Sequence, residues 1–144
     1  MRTMVAVFVL GGVSLVACRE AKVSDQDIPI VRISQVEAAL REPGVVLVDA
    51  RKPEAYVAGH LPNAIHIYLP DIRSGDPRLA RAKRIIVYAG GVRDPLGIAA
   101  AKRLVAMGYV NVQEYKGGVE EWQNTGRSLA GSLPPAQVRP DTAR

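Results

Sequence analysis

Two short runs, residues 45–50 (VVLVDA) and 84–89 (RIIVYA), constrain the fold more than anything else in the chain. Each is almost continuously apolar and rich in β-branched side chains. A strand with one wet face alternates apolar and polar residues. An unbroken run needs cover on both faces, as strands of a parallel sheet have. The segments around them supply that cover. Ser34 can cap a helix over residues 35–42 (QVEAALRE), with Glu37 three positions on completing a capping box. Pro53 suits a first helical turn, and Gly59 ends it. Residues 96–107 form the longest helical pattern, stopped by Gly108, and a further helix starts near Gly118 and carries Trp122. Shorter strands are predicted at 30–33, 64–67 and 111–115. Strands alternating with helices give an α/β class and a mostly parallel sheet with helices on both faces. With aromatics at 5%, the core rests on Val, Ile, Leu and Ala.

The 144 residues suffice for one domain with a sizeable core. Residues 1–17 read separately: MRTM gives a positive start, followed by an apolar stretch too short to span a bilayer comfortably. This is a secretory signal pattern. Residues 18–29 read as a tether, 30–125 as the folded domain, and 126–144, rich in Gly, Ser and Pro, as a flexible tail. Cys18 is the only cysteine, so no disulfide can form within one chain. The formal net charge is +5. A basic cluster of Arg73, Arg78, Arg81, Lys83 and Arg84 fits a solvated face, lipid headgroups or an acidic partner better than nucleic acid.

Residues 85–97 (IIVYAGGVRDPLG) read as a strand entering a glycine-rich turn and then a helix. In parallel sheets ligands sit beyond the carboxyl ends of the strands, where Ala89 falls. The turn holds no Cys, Ser, Thr, His or Lys. It is no phosphate-binding P-loop, because no Lys-Ser/Thr pair follows its glycines. Asp94 before Pro95 suits a helix N-cap with Pro at the first helical position. Arg93 can hold an anion beside Gly90 and Gly91, or be a plain solvated arginine. With two histidines and one distant cysteine, no metal site or cofactor is expected.

Three segments in order resemble the rhodanese (sulfurtransferase) domain family: Val48-Asp49-Ala50-Arg51 with Glu54, Tyr56, Gly59-His60-Leu61 and Ala64; the strand, loop and helix over 85–104; and Gly108-Tyr109, Asn111-Val112, Gly117-Gly118 and Trp122. The resemblance implies one α/β domain around a five-stranded, mostly parallel sheet. It also implies a catalytic cysteine opening the loop after the fourth strand. That thiol takes sulfur from thiosulfate or a related donor as a persulfide. By position it falls on Ala89, and the ligand loop on Ala89, Gly90, Gly91, Val92, Arg93 and Asp94. Asp49, Arg51 and His60 would support the pocket. A methyl group cannot attack sulfur, so the expectation is a non-catalytic module binding a small anion or a protein. The alternatives are an atypical sulfurtransferase and a structural envelope lipoprotein. Leu15-Val16-Ala17-Cys18 in turn resembles a bacterial lipobox. It implies acylation of Cys18 and a lipid-anchored, periplasm-facing protein, with the outer membrane favoured over the inner by Arg19.

Overall fold

A computed structural model describes residues 23–131; the expected signal segment, Cys18 and the end of the expected tail lie outside the described residues. The sheet has four parallel strands: β1 (Val45–Asp49), β2 (Ile65–His66), β3 (Arg84–Tyr88) and β4 (Val112–Tyr115), in the order β2-β1-β3-β4. Helices α1 (Ile33–Ala39), α2 (Pro53–Ala58), α3 (Leu96–Ala106) and α4 (Gly118–Asn124) alternate with them.

The unbroken apolar runs are explained by cover on both sides. Along β3, Ile85 and Val87 pack with Ala100 and Leu104 of α3. Ile86 and Tyr88 face the other way, with Val36 of α1 and Trp122 of α4. Successive strand residues point to opposite faces, so a strand between two layers has no polar position to fill.

Two local expectations are corrected. The strand expected at 30–33 is reduced to one parallel bridge, Ile30 to Glu114. Its ladder is held by Val31 N–H on the Glu114 carbonyl (2.8 Å) and Glu114 N–H on the Pro29 carbonyl (2.9 Å). Pro29 has no N–H to extend it on one side, and α1 begins at Ile33 on the other. The sheet therefore has four strands and not five. The cap of α1 also moves upstream of Ser34: Arg32 donates its N–H to Gln35 Oε1 at 2.8 Å. Glu37, freed from the cap, pairs with Arg127 at 2.6 Å.

The first residues of the expected tail are bonded to the domain. His60 and Ala130 exchange backbone hydrogen bonds at 3.0 and 2.8 Å, and Trp122 Nε1 donates to the Ser128 carbonyl at 3.0 Å. The Arg127 guanidinium lies 5.5 Å from the Trp122 ring centroid.

The basic segment before β3 is partly spent on internal pairs. Arg78 meets buried Asp76 at 2.6 Å, and Arg84 meets Glu42 at 2.8 Å. Arg78's hydrogen bonds hold the Asp76 carboxyl below its ordinary value, overcoming burial.

Candidate functional site

From β1 the chain steps outward to β2, then returns to place β3 on the other side of β1. The carboxyl ends of β1 and β3 therefore flank the point where strand order reverses, the usual ligand crevice of an open α/β sheet. Asp49 and Tyr88 are register partners there, and Ala89 follows directly.

The Ala89 side chain is almost fully buried. The loop after it is clamped from α4: Val119 N–H bonds the Ala89 carbonyl at 3.1 Å, and Glu120 N–H bonds the Gly90 carbonyl at 2.8 Å. This close approach depends on Gly118. Its φ is +58°, and a Cβ there would run into the Ala89 carbonyl oxygen and lie 2.8 Å from Gly91 N. Glycine supplies both the left-handed backbone and the missing atom.

On its inner side the loop is tied by its own acid. Asp94 accepts from Gly90 N–H at 2.8 Å and from Leu96 N–H at 3.0 Å, while Asp94 N–H closes a turn on the Gly91 carbonyl at 2.9 Å. Asp94 accepts from Leu96 N–H as a capping side chain would, but α3 starts at Leu96 with Pro95 in the N-cap position, so Pro95 does not take the first helical position expected of it. The same carboxylate fills the first amide of the loop. The N–H groups of Gly91, Val92 and Arg93 make no hydrogen bond among the described residues. Val92 and Arg93 are exposed at the tip.

Beneath the loop, fully buried Asp49 takes a forked contact from Arg51, with Nη2 to Oδ2 at 2.7 Å and Nε to Oδ1 at 3.0 Å. Arg51 Nη2 also donates to the Gly59 carbonyl at 2.7 Å. Burial pulls the Arg51 pKa down, but the hydrogen bonds and charge of Asp49, aided by Tyr88 and Asp94, hold it above the ordinary value. The Tyr88 hydroxyl accepts from Leu61 N–H at 3.0 Å. Burial first, then the Asp49 charge, push its pKa far up, so it stays a neutral phenol. His60 stacks on Tyr56 with centroids 3.9 Å apart, and its Nδ1 lies 3.0 Å from the Tyr56 carbonyl. These contacts tie it to the end of α2. Among the described residues no His, Cys, Asp or Glu group is arranged to hold a metal.

The geometry also exposes a residue that sequence reasoning passed over. Glu114 in β4 is only 4% exposed, and its Oε1 lies 2.8 Å from where a Cβ on Gly97 would sit, at the start of α3. Burial raises its pKa; Lys116 opposes this and Asp25 adds to it. Glu114 lies within the strand VQEY, and nothing in the sequence sets it apart from a solvated acid.

A rhodanese-like domain profile matches residues 33–125. The chain belongs to the rhodanese-like domain family. Among curated relatives, the thiosulfate sulfurtransferase GlpE of Pseudomonas entomophila is 38% identical over 99 residues, spanning 65% of this chain and 85% of that protein. GlpE of Pseudomonas syringae pv. syringae is 36% identical over 91 residues, spanning 60% and 80%. Among solved structures, the BH2092 protein of Bacillus halodurans superimposes with a TM-score of 0.64 at 29% identity, covering 74% of this chain and 77% of that one. The human single-domain sulfurtransferase TSTD1, at 19% identity and a TM-score of 0.57, covers 67% of this chain and 96% of its own, a likeness of fold alone. In this rhodanese-like domain the described residues contain no cysteine.

Proposed function

We propose that this rhodanese-like chain is a non-catalytic binding module, held at the periplasmic face of a bacterial envelope membrane by acylated Cys18. The carrying observation is Ala89 at the end of β3, where the family resemblance places the sulfur-bearing cysteine. Sulfur transfer of the kind named for the GlpE relatives needs a nucleophile with a lone pair at that point, and the Ala89 methyl has none. The tie from Asp94 to Gly90 supports the same reading. It occupies the loop's first amide and sets a negative charge where an anionic donor would arrive.

What the loop retains is binding capacity. Three N–H groups have no hydrogen-bond partner among the described residues: that of buried Gly91 and those of exposed Val92 and Arg93. Successive backbone N–H groups of this kind suit a small anion or an acidic group on a partner protein. In a titration of the full chain with sulfite, thiosulfate or phosphate, these three amides shift saturably, and Asp94→Ala tightens the binding. No response from these amides, together with no partner recovered by crosslinking at Arg93, overturns the binding role.

The rival reading, an atypical sulfurtransferase, draws its support from the GlpE similarity. It requires a sulfur acceptor other than Ala89, and none stands in the loop. For the anchor, two acyl chains suffice for stable membrane attachment. Labelling with radioactive palmitate, abolished by Cys18→Ser, is the expected outcome, and an unlabelled wild-type chain removes the anchor from the proposal.

A further inference from the structure

A second concavity, of about 240 Å³, opens on the outer side of the loop, between Val92–Pro95, the bridge residue Ile30 and the first turn of α3. Its apolar wall is Ile30, Val92 and Ile98; Ile30 and Val92 are 60% and 62% exposed, unusual for aliphatic side chains this close together. Five charged residues line it, and two are already engaged. Asp25 pairs with Lys102 at 2.6 Å, and Asp94 is held by the amides of Gly90 and Leu96.

Three remain. Glu114 is almost wholly buried, and its carboxyl makes no hydrogen bond or ion pair among the described residues. The residue nonetheless lines the concavity, so its carboxylate is open to a ligand there. Arg93 and Lys116 lie at the exposed rim. Neither closes an ion pair with Glu114, although all three line the same concavity.

The lining is bipolar: an acid and two exposed cations, none of them paired among the described residues, beside the aliphatic Ile30, Val92 and Ile98. A simple anion drawn to Arg93 and Lys116 meets the Glu114 charge. A simple ammonium drawn to Glu114 passes two like charges at the rim. We propose that this pocket binds a small zwitterion, an aliphatic amino acid whose ammonium group reaches Glu114 while its carboxylate faces Arg93 and Lys116. The site shares Val92, Arg93 and Asp94 with the loop, while Glu114, Lys116 and Ile98 belong to it alone, so Gly97 and Glu114 report on it separately from an anion at the loop amides.

The test uses the full chain, isotope-labelled and followed through its amide chemical shifts, with γ-aminobutyrate, δ-aminovalerate and ε-aminocaproate as probes and butylammonium and butyrate as monopolar controls. At least one amino acid shifts the amides of Val92, Gly97 and Glu114 saturably and binds roughly tenfold or more tighter than either control, the equivalent of one charge-assisted hydrogen bond. Glu114→Gln removes the advantage over butyrate, and the surface double substitution Arg93→Gln with Lys116→Gln removes the advantage over butylammonium. Amino acids that bind no better than the controls in the wild-type chain overturn the proposal, as does unchanged affinity in a folded Glu114→Gln protein.

Discussion

Asp49 and Arg51 stand two positions apart in sequence, and their pairing sets what lies under the loop. The carboxylate is fully buried and the arginine side chain 12% exposed, so solvent screens the pair little. Removing one partner of a buried pair costs about 3–5 kcal/mol, because the other is left as an uncompensated charge. Arg51→Ala also leaves the Gly59 carbonyl without its donor. Its urea midpoint falls by an amount matching that range; a loss below about 1 kcal/mol, the worth of an exposed pair, contradicts the buried-pair account. At this scale some of the site was legible. Asp94 before Pro95 signals a cap because capping is a local hydrogen bond. Its second bond, to Gly90, depends on how tightly the loop folds back, and no pattern in the chain announces it. Glu114 was equally opaque, since its burial comes from α3 and the loop meeting over β4.

At the scale of elements, the two apolar runs carried the fold because cover on both faces leaves its mark on every residue of a strand. The short edge pieces carry no such mark. Residues 30–33 fit a strand by composition, yet Pro29 and the onset of α1 leave them one bridge. The joint between the loop and α4 was visible only as the pair Gly117-Gly118. In the fold the second glycine makes a left-handed turn pressed against the Ala89 carbonyl. Gly118→Ala therefore adds left-handed strain, roughly 1–2 kcal/mol, to a steric conflict with backbone that cannot swing aside. The predicted result is a drop in melting temperature, with lost hydrogen-exchange protection at Val119 and Glu120, whose N–H groups hold the loop. An unchanged melting temperature contradicts the close approach.

Across the whole molecule, the buried acids act on stability in opposite directions. The folded pKa of Glu114 is raised above 4.5, so the folded state binds the proton more tightly. Its contribution to stability is greatest below 4.5 and is lost as pH rises through the folded value. Asp76 is depressed below 3.8; it stabilises above that value, and the gain is lost as pH falls through its folded pKa. Glu114→Gln is thus predicted to be more stable than the wild type at neutral pH, with the difference closing as pH falls below 4.5 in chemical denaturation. A difference that widens on acidification contradicts the sign.

The same scale holds the central proposal, that this rhodanese-like scaffold lacks the atom that would carry sulfur. The fold, the strand-order reversal and the glycine turn are all present, while the chain's one thiol, at Cys18, lies outside the domain matched to the family. The most direct measurement is thiocyanate production from thiosulfate and cyanide by the full chain, alongside Cys18→Ser. The predicted result is no product above the protein-free background from either. Sustained turnover that survives Cys18→Ser would put a sulfur acceptor elsewhere in the chain and contradict the proposal.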